Sequence, residues 1–343
     1  MNFSNNQINK AGKILAFSEA GADVAAALDT INAWRSKHRY ATDVFRELLM
    51  EKARAIDINF VFASRLKKID SIKEKLRREP NMQLSGMQDI GGCRLIFSRI
   101  EDVYEMVNAL LSMGGTWYPS AKHILKRKTD YIENPRNSGY RSYHMVYEYH
   151  NGSTVAENLK IEIQIRTYIQ HIWATSVESA SIIAKAPLKA SKGAEYWLEF
   201  FRLVSSYFAL QERKPLVPDT PLTKSEIVES IRAINRQHNI LSQLDVLNLW
   251  IKRTEPGRIT GEFSSPYFLL LISEDKENKA EISSIQDFDI FDVAYNAYVQ
   301  AEKNIGNNAV LVSTNSAETL RRAYPNYFID IDNFISILRN LLF

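Results

Sequence analysis

The sequence predicts an α+β protein in which a mixed β-sheet is packed with flanking helices and is followed by a smaller α+β C-terminal domain. Two observations support this class. Short stretches of period-two alternation take turns with stretches of helical period between about residues 59 and 180. A proline-rich break near Pro215 then separates a second, shorter series of strand and helix patterns. With 343 residues and 45% hydrophobic composition, the chain is long enough to form two cores.

The first 58 residues are predicted to be a helical lead-in. Between residues 19 and 56, apolar side chains such as Val24, Leu28 and Ile31 recur at spacings of three and four, which is the helical period. From about Asn59 the period changes, and residues 59–214 form the predicted central domain. Its predicted strands are NFVFAS, CRLIF, HMVYEY and LKIEIQIRT, the last two joined by a turn at His150 to Ser153, and its predicted helices are Ile69–Leu76, Glu101–Leu111 and one from about Tyr168.

The C-terminal domain is predicted at residues 215–343. The segment ERKPLVPDTPLTKSE (212–226) carries three of the ten prolines and interrupts the pattern. Beyond it we expect a helical segment at about 224–251, the strands PYFLLLIS, AEISSI and NAVLVS, a helix at Asp292–Asn304 and a closing helix. No catalytic constellation is recognisable there, so its many aromatic residues are expected to serve core packing and partner contacts.

Composition excludes several classes of function. A single cysteine, Cys93, excludes a disulfide framework and a cysteine-rich zinc site. No apolar run approaches the roughly 20 residues that cross a bilayer, and the N-terminus has no signal-peptide core, so we expect a cytoplasmic protein without a membrane partner. The net charge of +3 is small, but residues 65–78 hold seven basic and two acidic residues. Such a run is either a solvated helix face or, with KHILKRK (122–128), Arg136 and Arg141, part of an anion-binding cleft.

Three motifs contain candidate functional residues. In LKIEIQIRT, period two places Glu162, Gln164 and Arg166 on one face, which is either the wet face of an ordinary strand or a row of metal, substrate and phosphate contacts. In QDIGGCRLIF, Asp89 is either a turn residue or, with Glu162, half of a two-carboxylate Mg²⁺ site.

The third motif is the turn-rich loop DYIENPRNSGYRSYHMVY. It places Tyr140 and Tyr143 beside Arg136 and His144, where aromatic faces suit bases and cations suit phosphates. Simple packing of the tyrosines is the alternative interpretation.

Together these motifs resemble the RelA/SpoT synthetase domain, the family that makes the guanosine alarmones (p)ppGpp. RLKKIDSIKEK, DIGGCRLIF, DYIENPRNSGYRSYH and EIQIRT occur in that family's order and approximate spacing over about residues 59–180. The resemblance implies a nucleotidyltransferase-like fold and transfer of pyrophosphate from ATP to a ribose hydroxyl. It implies these contacts to ATP: Arg65, Lys67, Ser71 and Lys75, with Arg99 as the candidate for a second adenine-stacking arginine.

The resemblance also assigns the chemical and acceptor residues. Asp89 matches the Mg²⁺ aspartate, and Glu162 matches the glutamate that binds metal or activates the acceptor hydroxyl. Tyr140 matches the aromatic residue that stacks on the acceptor base, and His144 matches the histidine beside it. The further acceptor-side residues are Tyr143 in the same loop, the supporting strand residues Gln164 and Arg166, and the basic residues Lys128 and Arg136.

The acceptor is expected to be the tRNA 3′ end. The loop reads S-G-Y-R-S-Y-H where alarmone-making members typically read N-G-Y-x-S-L-H, which resembles the toxic branch of the family. Basic residues between Lys122 and Arg141 offer a path for tRNA phosphates. The chain then resembles fused toxin–antitoxin members in phage defence, with a C-terminal domain that covers the active site until a phage protein binds. A small (p)ppGpp synthetase acting on GDP or GTP and a nucleotide-responsive protein without catalysis are the alternatives.

Overall fold

One large sheet contains the strands that the sequence predicts. The computed structural model describes residues 3–18, 21–113, 116–118, 121–150, 152, 156–184, 186, 188, 191–245, 267–274, 280–303, 308–313 and 331–342. The helices are α1 (Asn5–Phe17), α2 (Ala22–Ile56), α3 (Ile69–Arg78), α4 (Ile100–Ser112), α5 (Tyr168–Ile183), α6 (Glu195–Gln211), α7 (Lys224–His238), α8 (Phe291–Lys303) and α9 (Asp332–Leu342). The strands are β1 (Val61–Leu66), β2 (Gly91–Phe97), β3 (Thr116–Tyr118), β4 (Ala121–Lys122), β5 (Ile124–Asp130), β6 (Tyr143–Glu148), β7 (Lys160–Thr167), β8 (Tyr267–Glu274), β9 (Ala280–Phe288) and β10 (Asn308–Ser313).

The sheet is mixed, as the sequence predicts. Within the described residues its order is β5-β6-β7-β2-β1-β10-β8-β9, and β3 and β4 form a separate small ribbon. The pair of β2 and β7 is parallel, whereas the other neighbours are antiparallel. The fold class is therefore confirmed as mixed α+β.

The alternation in β7 fixes which face of the sheet is buried. Ile161, Ile163 and Ile165 are fully buried in a core formed with α2 and α4, while Glu162 and Gln164 point to the other face. A second core lies between α5, α6, α7 and α9. The strand pattern therefore leaves one face of the central strands for polar groups.

Some predicted elements differ in detail from the structure. The basic stretch 122–128 mostly forms β5, an edge strand of the sheet, which charge alone did not predict. Helix α1 lies within the predicted helical lead-in but before the periodic segment at residues 19–56, and Ser4 and Gln7 form a capping box at its start. The predicted helical segment from 224 onward begins as α7, while residues 246–251 lie outside the described residues, as do 151 and 153 of the predicted turn.

The C-terminal strands continue the central sheet across the predicted boundary near Pro215. Ser64 and Arg65 of β1 pair with Ser313 and Val312 of β10. On the helical side, the buried Arg35 of α2 contacts the C-terminal part of the chain through the ring of Tyr298. No helix among the described residues has the length and apolar character needed to cross a membrane.

Candidate active site

The face of the sheet opposite the isoleucine core carries a row of polar side chains. Directly paired residues in neighbouring strands lie on the same face. Glu162 pairs with Gly92 of β2, and Gly92 pairs with Arg65 of β1. Gln164 lies between His144 of β6 and Arg94 of β2. Two arginines, a carboxylate, an amide and an imidazole ring therefore share one face over four strands.

Asp89 lies just before β2 and holds two ammonium groups. Lys67, directly after β1, places Nζ 2.8 Å from Asp89 Oδ2, and Lys75 of α3 places Nζ 3.0 Å from Oδ1. Burial on its own would raise the pKa of Asp89, but the two lysines hold it at about 2. The carboxylate is therefore ionised at neutral pH and gathers the basic residues of α3 and β1 at one point.

Glu162 anchors a second hydrogen-bonded chain on the same face. Its Oε2 accepts from Gln164 Nε2 at 2.7 Å, and its Oε1 lies 3.1 Å from His144 Nδ1. The other ring nitrogen of His144 lies 2.8 Å from the Tyr140 hydroxyl. Tyr140, His144 and Glu162 are thereby fixed relative to one another.

Electrostatics determine the protonation of this chain. Burial would lower the pKa of His144, but the oxygens of Tyr140 and Glu162 raise it to about 9. Burial would likewise raise the pKa of Glu162, yet the bonds from His144 and Gln164 lower it, against the opposing charge of Asp89. At neutral pH, His144 is therefore an imidazolium that donates from both nitrogens, and Glu162 is a carboxylate.

Arg166 ends the polar row of β7 and is hydrogen-bonded to Tyr140. It is fully buried, its Nη2 donates to His171 Nδ1, and it also bonds to Tyr140. Burial and the neighbouring Arg94 lower the pKa of Arg166 to about 9, still well above neutral. A buried cation is therefore hydrogen-bonded to Tyr140, the aromatic end of the series Glu162–His144–Tyr140.

The loop of residues 131–142 presents Tyr140 together with Arg136. The Arg136 guanidinium lies 4.5 Å from the Tyr131 ring centroid and 5.8 Å from that of Tyr140. Gly139 has φ +92°, and a Cβ there would lie 2.8 Å from the Trp173 ring, so only glycine fits. The loop turns at Gly139 and directs Tyr140 toward His144.

Three predicted site residues lie away from this group. Arg99 is exposed at the start of α4, where it pairs with Glu101 and Asp102. Tyr143 is buried in the core against Tyr104, on the face opposite to Glu162. Lys128 of β5 pairs with the buried Met145 and so lies on the face of the sheet opposite to Glu162, where its side chain is exposed.

Arg94 is the residue that sequence reasoning missed. It lies in β2 between Gln164 and Ala63, on the polar face and diagonal to Arg65. Period two within CRLIF was the available signal, because Arg94 follows Gly92 by two residues and therefore shares its face. Arg99, by contrast, lies beyond the end of the strand.

The remaining predicted residues, Arg65 and Ser71, lie in β1 and α3, the two elements next to the Asp89 cluster. Arg65 is close enough to Lys67 to lower its pKa, after the larger effect of burial. Ser71 lies in the first turn of α3, four residues before Lys75 and therefore on the same side of the helix. The N-terminus of α3 and its cations form a region suited to phosphate groups.

The site combines lysines, arginines and two carboxylates beside a mixed sheet. Such a set of side chains is suited to bind nucleoside phosphates. Residues 64–186 match the family model described as "Region found in RelA / SpoT proteins". This segment of the chain is therefore a RelA/SpoT region, in agreement with the resemblance of the four motifs.

Curated relatives match the same part of the chain. GTP pyrophosphokinase YjbM of Bacillus subtilis is 33% identical over 147 residues, covering 40% of this chain and 66% of that protein. GTP pyrophosphokinase YwaC of the same organism is 37% identical over 118 residues, covering 33% and 53%. The chain thus spans between about half and two thirds of these relatives. The crystal structure of small alarmone synthetase 1 from Bacillus subtilis has a TM-score of 0.45 at 24% identity, covering 54% of this chain and 93% of that one.

Proposed function

We propose that this chain is an ATP pyrophosphokinase that transfers the β,γ-pyrophosphoryl group of ATP to a ribose 3′-hydroxyl. The observation that supports it most is the pairing of two clusters on one sheet face: Asp89 with Lys67 and Lys75, beside Glu162 with His144 and Tyr140. The first cluster suits a triphosphate and the second suits a nucleoside with a free hydroxyl.

The donor half of the proposed site binds ATP. Lys67 and Lys75 neutralise phosphate oxygens, and the first turn of α3, with Ser71, adds backbone N–H groups. Arg65 and Arg94 lie on neighbouring strands of the polar face, where two guanidinium planes suit the faces of the adenine ring.

The two carboxylates fit Mg²⁺. Mg²⁺ is bound by one or two carboxylates and fills its remaining positions with water and substrate phosphate oxygens. Asp89 and Glu162 are both ionised at neutral pH and interact electrostatically. The described residues contain no cluster of three or more potential metal ligands. The proposed site uses the two carboxylates Asp89 and Glu162. When bound, Mg²⁺ neutralises triphosphate charge and orients the donor.

The acceptor half positions the nucleophile. Tyr140 offers its ring to the acceptor base, and Glu162 accepts the proton of the 3′-hydroxyl. The new bond joins the 3′-oxygen to the β-phosphorus, the bond from the β-phosphorus to the α,β-bridging oxygen breaks, and AMP leaves. Because the pKa of Glu162 is lowered, it is a weak base, and orienting the hydroxyl is its larger contribution.

Two acceptors are proposed, in order. A guanosine nucleotide comes first, because the curated relatives are named GTP pyrophosphokinases. The tRNA 3′ end comes second, and the exposed basic residues Lys126, Arg127 and Lys128 of the edge strand β5 favour it, since they offer contacts to a phosphate backbone. Because Tyr143 is buried, its side chain does not distinguish a guanosine nucleotide from the tRNA 3′ end.

We also propose that the C-terminal part of the chain restrains the enzyme until a trigger binds it, with a phage protein as the proposed trigger. Strand β10 lies directly beside Arg65, so the order of the C-terminal strands is coupled to the donor half. Raised transfer in a Tyr295→Phe, Tyr298→Phe double variant would support restraint, because both hydroxyls bond to α2. Reduced transfer would instead indicate that these contacts assemble the site.

A labelling experiment tests the proposed function and its acceptor. ATP labelled at the γ-phosphorus is incubated with the full chain and GDP, GTP or deacylated tRNA, and each acceptor is examined for label. Label in GDP or GTP supports the first acceptor, and label in tRNA supports the second. Label in none of them, with Mg²⁺ present and with both the full chain and the Tyr295→Phe, Tyr298→Phe double variant, contradicts the proposed activity.

A further inference from the structure

Arg141 is a buried cation of the 131–142 loop that does not face the polar row. Only 3% of it is exposed, and it follows Tyr140 directly in the chain. Charge patterning groups it with the anion-binding residues, but its guanidinium is enclosed by protein. Its contacts therefore indicate a different role.

Each nitrogen of the Arg141 guanidinium bonds to a different part of the fold. Nη1 donates to the carbonyl of Ile132 at 3.0 Å, which closes the loop on itself. Nε donates to Ser205 Oγ of α6 at 3.1 Å, and Nη2 donates to the carbonyl of Pro215 at 2.7 Å. The side chain thus joins the loop, α6 and the segment that leads to the C-terminal part.

Ser205 completes the same arrangement from the other side. Its hydroxyl donates to the carbonyl of Gly139 at 2.6 Å, while it accepts from Arg141. The residues on both sides of Tyr140 are therefore held against α6. Because a buried, fully hydrogen-bonded network rigidifies its surroundings, this arrangement limits where the Tyr140 ring can lie.

The segment of residues 212–220, here called the connector, is itself fixed to neighbouring elements. Glu212 accepts from Thr167 and from Gln170 at the start of α5. Lys214 pairs with Glu133 of the loop, and the Val217 N–H donates to Ser206 Oγ at 3.0 Å. The connector therefore contacts the loop at Lys214 as well as at Pro215.

We propose that Arg141 is a positioning residue that clamps the 131–142 loop to the connector, so that acceptor use depends on how the connector is seated. This inference rests on the proposed function for its kinetic consequence, because Tyr140 is the proposed acceptor contact. A displacement of the connector removes the bond at Pro215 and loosens the loop. The C-terminal part of the chain thereby gains a route to the acceptor half that does not pass through β10.

Substitution of the full chain tests the clamp. Arg141→Lys keeps the charge, but its single nitrogen cannot reach all three partners that the separate guanidinium nitrogens reach. Ser205→Ala removes two bonds with little loss of volume. Arg202→Lys is the matched control, because it changes an arginine of the same helix that pairs with Glu199 instead. We expect both clamp variants to raise the acceptor KM about tenfold or more while the KM for ATP stays within about twofold, and the control to change neither.

Hydrogen exchange provides a readout that does not depend on activity. Amides of the loop and of the connector should exchange faster together in Arg141→Lys, since one bond network protects both. Faster exchange of the loop alone, or of neither segment, would overturn the clamp. Equal changes in both KM values would also overturn it. If neither the wild-type chain nor the Tyr295→Phe, Tyr298→Phe double variant transfers anything, the proposed function fails, and the exchange measurement still decides the clamp.

Discussion

Glu162 is the residue on which the proposed chemistry depends most. Glu162→Gln preserves the shape and the bond to Gln164 but removes the charge that faces Mg²⁺ and the acceptor hydroxyl. We expect transfer to fall by about 100-fold or more, because losses of a general base or metal ligand are of that order. A thermal unfolding curve close to that of the wild type would show that the fold persists. Transfer within about tenfold of wild type would remove Glu162 from the chemistry.

His38 gives a pH dependence that lies outside the site. It is buried in α2 and bonds to the Trp34 carbonyl, and burial lowers its pKa to about 4 from the ordinary 6.5. Between these values the unfolded chain binds the proton and the folded chain does not. The stabilisation is therefore complete above pH 6.5 and is lost as the pH falls toward 4, by up to about 3 kcal/mol.

Urea unfolding at pH 7, 6 and 5 measures this dependence. The free energy of unfolding of the wild type should fall across this series more steeply than that of His38→Gln, which cannot be protonated. Equal slopes for the two proteins would show that His38 is not responsible.

At the scale of elements, strand parity leads us to expect that Arg94, and not Arg99, contacts ATP. Arg94 lies on the polar face of β2, whereas Arg99 is exposed beyond its end. We expect Arg94→Ala to raise the KM for ATP about tenfold or more and Arg99→Ala to leave it within about twofold. Steady-state kinetics with varied ATP and saturating acceptor measure the difference. The opposite ranking would restore the assignment of Arg99 as the adenine contact.

Local patterns predicted the central elements well. The alternation in LKIEIQIRT identified both the buried and the polar face of β7, and the helix at Ile69–Leu76 lies within α3. These patterns worked because each strand or helix shows its own period in the sequence. Strand β5 was not predicted, since an exposed edge strand rich in Lys and Arg lacks the apolar alternation that identifies a strand.

The site could be predicted only in part. Asp89, Glu162, Tyr140 and His144 stay predictions as functional residues, but the structure joins Tyr140, His144 and Glu162 by hydrogen bonds and places Asp89 within electrostatic range of Glu162. The roles of Arg141 and Tyr143 could not be read from the sequence, because burial and long-range hydrogen bonds decide whether a cation or a ring faces substrate or protein. A charge run identifies basic residues but not the direction in which each side chain points.

For the whole molecule, the most important unpredicted feature is that β10 joins β1. Pairing between strands about 250 residues apart leaves no local signal, because each strand shows only its own alternation. The long-range contacts of the buried arginines of α2 likewise leave no local signal in the sequence. Arg35 contacts Tyr298, and Arg39 lies over the rings of Tyr267 and Phe291, each with the guanidinium 4.9 Å from the centroid.

The contact between Arg35 and Tyr298 yields a prediction for the free energy of unfolding. Tyr298→Phe removes the hydroxyl that accepts from Arg35 and leaves part of a buried cation without that partner. We expect the free energy of unfolding to fall by about 1 to 3 kcal/mol, the cost of an unsatisfied buried group. Urea unfolding measures it, with Tyr196→Phe in α6 as the control outside this contact. A change below about 0.5 kcal/mol would show that the hydroxyl contributes little to holding the C-terminal strands.

The co-product of the reaction distinguishes transfer of pyrophosphate from transfer of a single phosphoryl group. Pyrophosphoryl transfer releases AMP, whereas transfer of a single phosphoryl group releases ADP. With ATP labelled in the adenine ring and GDP or tRNA as acceptor, the full chain should form AMP in the same amount as pyrophosphorylated acceptor, and Glu162→Gln should form almost none. Release of ADP, or AMP that forms without any modified acceptor, would contradict the account.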